Sequence, residues 1–566
     1  MMDRFNPEEP HSSPMIAQAE PESPGSSVSS PPSVVTPATP EGDLLNNRDT
    51  TGKVIPLDPE DPRYRSLLTQ LQGNILKGHG RDFTYQLFLG FRSDLSLEGL
   101  REAVSYLARD YVTPMTRQLQ EREDFKRFGV PGGLFGNLFL TSSGYKALGF
   151  SAEEVGANLP EEKETGSLET LSNFREGLHQ HAVEDLDDPP FEQWQKEYRT
   201  PGAIHAMILI ADDDRGFLNR QARILLDRVR SFSTVIAIEK GVALRTEAGE
   251  GIEHFGYVDG RSQPVYLQTG APGDPPDAQD EDRGATTVWN PFEPLSRVLV
   301  PDGFAGGKAA HAYGSYFVFR KLEQDVRGFK TRELEMADKL GLVGTDRERA
   351  GAMAVGRFED GTPLTLSPTD GFLPVKENNF TYAGDPKGEK CPFAAHIRKT
   401  NPRGDIQRQF SLPGTSNPQL DEGITERPRR ITRRGITFGE RERHPEEEQP
   451  IELLPTKSLG DDHSKSVGLL FMCFQSSISK QFAFMQRRWA NARGFVNPAG
   501  IGLDPVIAQD RTGAPGGQTW RPDYGAVSAP RPDVPFDFSG FVAMKGGEFF
   551  FAPSVSFFSS LSTLAP

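Results

Sequence analysis

Gly256-Tyr257-Val258-Asp259-Gly260-Arg261-Ser262-Gln263 is the stretch on which the reading of this chain turns. Two glycines bracket an acid. Glycine takes up positive φ without steric cost, and aspartate readily accepts a backbone N–H. Taken alone, GYVDGRSQ reads as a capped turn. Two later segments offer a second reading. CPFAAHIRKTNPR, residues 391–403, carries an isolated histidine, His396. RRGITFG, residues 433–439, opens on an arginine pair. An acid held between glycines, a solitary imidazole and a guanidinium can together form a proton-transfer site.

Composition narrows the classes. The chain has 566 residues, enough for two or more cores. No apolar run approaches the roughly 18–20 residues that span a bilayer, so no membrane partner is expected. The start, MMDRFNPEEP, is acidic and lacks an apolar stretch, so no secretory signal is read there and a cytoplasmic location is expected. A formal charge of -16 repels phosphate backbones and argues against nucleic acid. The exception is RPRRITRR, 427–434, read as a mostly solvated basic strand edge with Arg433 or Arg434 buried for another purpose. Two cysteines, Cys391 and Cys473, make no disulfide framework and are too few for an iron–sulfur cluster or a Cys-rich zinc site.

Residues 1–52 are rich in Pro, Ser and Glu and read as a disordered tail, with order expected from about Leu57. Strand and helix patterns then alternate. Strands are expected at 85–91, in GNLFLT, at 203–211 and at 234–239, and helices at 97–111 and 217–229. SSGYKALG reads as a capped helical turn. A Pro/Gly/Asp-rich stretch at 272–284 reads as a loop, after which the order restarts. Strands follow at 314–322 and 467–475, helices at 331–341 and 476–492, and EFFFAPSVSFF closes the sheet. This is an α+β chain with two copies of one layout: antiparallel sheets and peripheral helices.

Ten histidines are present. The HQH of His179 and His181 has a metal reading, but no third ligand is placed by spacing, so an ordinary structural role is the simpler one. His205 lies in an apolar strand and reads as a hydrogen-bonded core residue. His254 precedes the GYVDG turn. His396 has no neighbouring second ligand. That suits haem, whose porphyrin supplies four donors and asks the protein for one. Cys391 is a rival, because thiolates also bind haem iron. Cys473 sits within a strand pattern and reads as buried and inert.

LQGNILKGHGRD (71–82), LTSSGYKALG (140–149), EHFGYVDGRSQP (253–264), GSYFVFRKLEQD (314–325), CPFAAHIRKTNPR, RRGITFG and GLLFMCFQSSISKQFAFMQ (468–486) together resemble the dye-decolourising peroxidase family, in order, over roughly residues 57–560. The resemblance implies tandem ferredoxin-like domains, 53–250 and 251–566, with haem b in the second. It implies His396 as axial ligand to the iron, Asp259 as distal acid and Arg433 as distal arginine. The first arginine of RRGITFG matches the family position, and strand alternation puts only one of the two on the haem side. It further implies Leu469 and Phe471 shaping the distal pocket, Asp504 of GLDPVI as partner to the other nitrogen of His396, and Gly256 and Gly260 letting the backbone pass close to the porphyrin.

The implied activity is peroxide reduction with one-electron oxidation of bulky dyes or phenolics. An aspartate, ordinarily titrating near about 3.9, stays ionised in mild acid where a histidine would be protonated, so activity reaching into acid is expected. Trp489 and Tyr257 lie near the motifs as aromatics that could relay electrons. Homo-oligomers are left open. The alternatives are a haem carrier or sensor with His396 or Cys391 as ligand, or a haem-handling oxidoreductase of the same fold. The Asp259/Arg433 pair favours the peroxidase, since a carrier needs no proton shuttle.

Overall fold

The computed structural model describes residues 44–48, 52–159, 173–268, 288–305, 311–371, 378–409, 426–447, 449–458, 463, 465–497, 500–510 and 513–563. Most of the tail read at 1–52 and the loop read at 272–284 lie outside these residues. At its end, Leu44 and Leu45 pack on the core and Asn47 is buried, its side-chain oxygen accepting from Leu295 N at 3.0 Å. Ordered structure therefore begins earlier than Leu57, because two leucines find apolar cover that the local composition does not reveal.

The first module runs through β1 (Phe83–Phe91), α1 (Leu97–Tyr111), β2 (Phe135–Leu140), β3 (Ala206–Asp212), α2 (Arg215–Val229) and β4 (Ser233–Val242). The second runs through β5 (Tyr313–Gln324), α3 (Val326–Leu340), a short α4 (His396–Thr400), β6 (Thr432–Arg433), β7 (Ile436–Phe438), β8 (Gly468–Gln475) and β9 (Val542–Ala552). Local chemistry sets the helix ends. The Ser96 hydroxyl accepts from Gly99 N, Asp214 from Phe217 N and Asp325 from Gly328 N, each satisfying a donor that the first turn leaves unpaired. α3 stops at Gly341, whose φ of 65° a side chain would disfavour.

The strands join one sheet in the order β7-β8-β5-β9-β2-β3-β1-β4. Each half is a ferredoxin-like βαββαβ unit with its fourth, first, third and second strands side by side, and the ladders are antiparallel. The halves meet where Phe551 of β9 pairs with Leu140 of β2. The end strands also meet: the Thr437 hydroxyl donates to Val242 O, and the Ile436 side chain covers Gly241, where an added Cβ would lie 2.5 Å from it. The sheet thus curls back on itself around aromatic rings from both halves. Phe139 stacks on Phe317 at 4.3 Å between centroids, and Phe88 packs on Phe319 at 4.8 Å. Truncating one such ring to alanine costs about 3–5 kcal/mol.

Two segments depart from the sequence reading. The expected helix at 476–492 is two π-helical runs, Ser479–Ala483 and Met485–Ala490, whose wider turn differs little from an α-helix in its apolar spacing. EFFFAPSVSFF closes the sheet only as far as Ala552. Ser554 then caps a helix, α5 (Val555–Leu561). No helix among the described residues is long and apolar enough to cross a membrane.

Candidate active site

The GYVDG loop is built around its glycines. Gly256 and Gly260 have φ of 98° and 86°, so the chain reverses on either side of Asp259. Glu253 fastens the loop from below, accepting Phe255 N at 2.8 Å and Tyr257 N at 3.1 Å, with the Gln324 amide also donating to it. Burial pushes the Glu253 carboxyl up to about 7, with these donors pulling the other way and Asp259 adding to the rise. Asp259 N donates to Gly251 O at 2.9 Å. The Asp259 carboxylate accepts from Gly260 N at 2.6 Å and from Arg433 Nη1 at 2.9 Å.

Arg433 arrives on β6, paired to Cys473 of β8. Its Nη2 donates to Arg261 O at 2.7 Å and its backbone N to Gln263 Oε1 at 3.1 Å, so the loop and the strand fix each other. Arg434 points elsewhere, donating to Asn74 O at 2.6 Å and Ile75 O at 3.0 Å. Strand alternation separates the two arginines.

Opposite stands His396, the first residue of α4. Its Nδ1 lies 2.9 Å from Asp504 Oδ2. Burial alone would raise the Asp504 carboxyl. The His396 ring outweighs it, together with the N–H groups of Ile507 (2.9 Å) and Val506 (2.8 Å), and holds the carboxyl below the ordinary value. A carboxylate at Nδ1 makes that nitrogen the donor and leaves the lone pair on Nε2.

The helix carrying His396 is clamped. Lys399 Nζ donates to the carbonyls of Ala492, Phe495 and Gly502 at 2.7, 3.0 and 2.7 Å, all in the segment leading to Asp504. Arg398, fully buried, pairs with Asp385 and Asp405. Arg403 reaches across to Ser262 Oγ at 2.7 Å, tying the histidine segment to the acid's loop.

One cavity has Asp259, Arg433, His396, Leu469 and Phe471 in its walls. Gly256 and Gly260 are not among its lining residues; what they supply is positive φ. Cys391 lies outside it, in a small cluster with Phe380, Tyr382 and Ala395, and burial pushes its thiol up to about 12. Trp489 and Tyr257 are both buried, the first stacked on Phe495 at 5.0 Å and the second donating to Glu333.

Three further expectations can be placed. The solvated basic edge read at 427–434 is corrected: Arg427 and Arg430 pack against the buried Glu293, and Arg429 lies 3.7 Å over the Phe484 ring. A 3-10 turn at Arg427–Arg429 folds these side chains inward, which composition alone does not show. His179 binds Tyr198 O at 2.7 Å, and His181 sits between Asp185 and Glu176 at 2.7 and 2.9 Å. His205 accepts from Phe91 N at 2.8 Å and His254 Nε2 lies 2.8 Å from Phe438 O.

The cavity fits a flat apolar ligand bearing carboxylates. Ile397, Ile431, Leu469, Phe471, Phe482 and Val506 give it apolar faces. At its walls, the buried atoms Arg320 Nη1, Arg430 Nε, Gln324 Oε1 and Asn401 Oδ1 have no hydrogen-bond partner among the described residues. Buried polar atoms are rarely left so: Arg320 already pairs with Asp188 and Arg430 with Glu293, yet each keeps one N–H unanswered at the cavity wall, which suits an anionic substituent. Glu253, Gln263, Lys399 and Arg403 were not singled out from the sequence. All four lie inside the quoted motifs, and a polar residue within an otherwise legible motif was the available signal.

A single antiparallel α+β sheet built from two ferredoxin-like units, with a His–Asp pair facing an Asp–Arg pair across one apolar cavity, defines the class. Comparison with proteins of known kind, by sequence and by fold, points to the same class. The chain is 41% identical over 500 residues to the multifunctional dye peroxidase DyP2 of an Amycolatopsis species, spanning 88% of this chain and 96% of that one. It is 31% identical to a dye-decolorizing peroxidase of Exidia glandulosa over 74% of each. A DyP-type peroxidase from an Anabaena species superposes with a TM-score of 0.75 at 36% identity, covering 92% of this chain and 99% of that one. The solved structure of DyP2 from an Amycolatopsis species superposes with a TM-score of 0.73 at 38% identity, covering 90% of this chain and 99% of that one. No protein-family model matches the sequence. The chain belongs to the dye-decolourising peroxidase family.

Proposed function

We propose that this protein binds haem b through His396 Nε2 and reduces hydrogen peroxide at the expense of aromatic donors, including dyes of the kind its relatives are named for. The observation that carries this reading is the placement of two paired sites on one cavity: His396–Asp504, and Asp259–Arg433. When bound, haem supplies the redox chemistry, taking two electrons' worth of oxidation from peroxide and returning it to donors one electron at a time. Arg320 and Arg430 are the groups for its carboxylates.

The remaining work belongs to the chain. The Asp259 carboxylate accepts the proton of the incoming peroxide and returns it to the oxygen that departs as water. The Arg433 guanidinium, already 2.9 Å from that carboxylate, stabilises negative charge as the O–O bond lengthens. Leu469 and Phe471, alternate residues of β8, crowd the space and limit what reaches it. Asp504 accepts the Nδ1 proton of His396, which fixes the ring's orientation and tautomer and leaves Nε2 as the donor atom.

The test is an absorption spectrum of the purified protein before and after one equivalent of hydrogen peroxide, followed by addition of an anthraquinone dye. A Soret band that changes within milliseconds and recovers as the dye bleaches is expected. A haem-loaded protein whose spectrum ignores peroxide would overturn the reading.

A further inference from the structure

Among the described residues, the walls of the His396 cavity hold one sulfur-bearing side chain, Met485. It shares those walls with Asp259, Arg433 and His396, so an oxidant handled in the cavity is handled beside a thioether. The other methionines of the described residues sit elsewhere. Met115, Met207, Met336, Met472 and Met544 are at most 1% exposed and Met353 is 3% exposed, against 7% for Met485, and none of the six lines the cavity. Cys391 and Cys473 are also absent from its walls. Burial pushes both thiols up, so neither presents the thiolate that peroxide attacks.

Oxidation of a thioether gives a sulfoxide, which turns a flexible apolar side chain into a polar one. At this position the change has a route to the histidine. Met485 opens the second π-helical run, Met485–Ala490. The carbonyl of Ala490, at its end, accepts from Asp504 N at 3.0 Å, and the Gln486 amide donates to Ile507 O at 3.1 Å. Asp504 accepts in turn from Ile507 N and faces His396 Nδ1. The run is therefore one support of the carboxylate that orients the ring. The same walls carry Ile397, Phe482 and Val506, and an oxygen set among such side chains is destabilising unless a donor moves to meet it. The unanswered N–H groups of the cavity are those of Arg320 and Arg430, the groups assigned above to the haem carboxylates. An oxygen that recruits them competes with the cofactor.

We propose that Met485 is the self-oxidation site of this enzyme: hydrogen peroxide supplied without a donor converts it to the sulfoxide, and the sulfoxide loosens the hold on haem. The proposal rests on the peroxidase reading and adds to it the place where turnover ends. One S–O bond forms and the O–O bond of one hydrogen peroxide breaks. Sulfur loses two electrons, peroxide gains them, and both peroxide hydrogens leave in one water. When an aromatic donor is present, the donor supplies those electrons and the sulfur is spared.

The experiment treats the haem-loaded protein with excess hydrogen peroxide, with and without an anthraquinone dye, and maps methionine oxidation by peptide mass spectrometry. Without dye, Met485 is expected to gain one oxygen about tenfold faster than any of the six buried methionines named above, and the dye should protect it. Apoprotein given the same peroxide should show no such preference. Met485→Leu, a substitution close in volume, should lose Soret absorbance about threefold more slowly per equivalent of peroxide, each protein scaled to its own starting absorbance. Three results would each overturn the proposal: a Soret band that bleaches while Met485 keeps its thioether, an apoprotein oxidised at Met485 as fast as the holoprotein, or a Leu variant that bleaches at the wild-type rate. Should Met485→Leu fail to fold, the peptide maps of the wild type decide alone. A haem-loaded protein whose spectrum ignores peroxide sinks the peroxidase reading and this one together, whereas a spectrum that responds while Met485 stays unoxidised sinks this one only.

Discussion

The two sides of the His396 cavity are built to opposite specifications. On the histidine side, Asp504 is wholly buried, His396 keeps 22% of its side-chain surface, and the helix beneath is pinned by the Lys399 and Arg398 clamps. On the acid side, Asp259 and Arg433 keep 37% and 31% of theirs and open onto a second cavity. A buried hydrogen-bonded pair fixes geometry and tautomer. A half-open pair trades protons with whatever arrives. On the proposed function, the difference teaches that the cavity separates holding from reacting. Substitutions on the two sides should therefore fail in different ways.

His396→Ala should break the comparison outright. The ligand is gone and Asp504 is left buried without its partner. The purified variant is expected to lack a Soret band or to bind haem at least a hundredfold more weakly, measured by titration of the apoprotein. An unchanged Soret band would move the ligand elsewhere.

Asp259→Asn and Arg433→Leu should sharpen it from the other side. Both are expected to keep haem. The peroxide step should slow by about 10²–10³-fold, since each removes either the proton carrier or the charge that stabilises the departing oxygen. Stopped-flow traces at several peroxide concentrations measure this. A rate within twofold of wild type in either variant removes that residue from the mechanism.

Asp504→Asn should have an intermediate effect. The amide keeps the shape but offers a weaker, uncharged acceptor to Nδ1. Haem is retained, activity falls about tenfold, and the ferric/ferrous potential rises. A spectroelectrochemical titration with no shift would show that the 2.9 Å contact positions the ring without tuning it.

Much of this division was legible before folding. His396, Asp259 and Arg433 stand in motifs whose resemblance to the dye-decolourising peroxidases implied their roles, strand alternation adding only the choice between Arg433 and Arg434, and the βαββαβ order follows from apolar periodicity. What was not legible depends on distance. The pairing of Phe551 with Leu140 and the meeting of Thr437 with Val242 join residues that no local pattern links. In the sequence Lys399 is one of two adjacent cations just after His396, with nothing local to mark it. Only the placement of Ala492, Phe495 and Gly502 turns it into a clamp with three carbonyl acceptors. The arginines of 427–434 looked solvated because Glu293 is more than 130 positions away. The π-helical runs escaped because apolar spacing barely distinguishes them from an α-helix.

The smallest effect expected is in stability, and it sets the buried Asp504 against the partly buried Glu253. Asp504 is held below its ordinary value, so the stability it contributes is present at neutral pH and is lost only as pH falls below the usual carboxylate range. Glu253 is raised to about 7, so its sign is reversed. Between roughly 4.3, where an unfolded glutamate titrates, and about 7, the folded chain binds the extra proton. Stability should therefore fall as pH rises through that window. The groups around Glu253 set the size: the Phe255 and Tyr257 N–H groups and Gln324 favour the charged form, as does nearby Arg441, while Asp259 opposes it. The side chain is part-exposed toward the cavity, so the loss is discounted to about 1 kcal/mol. Glu253→Gln, which cannot ionise, should flatten the dependence. Gln at this position loses one acceptor for the Phe255 or Tyr257 N–H, which lowers stability by a similar amount at every pH and leaves the slope as the readout. Urea midpoints at pH 5 and pH 8 for wild type and variant give that slope. A wild-type midpoint that does not fall between them, or a variant that keeps the same fall, would mean that Glu253 holds the distal loop in one charge state throughout.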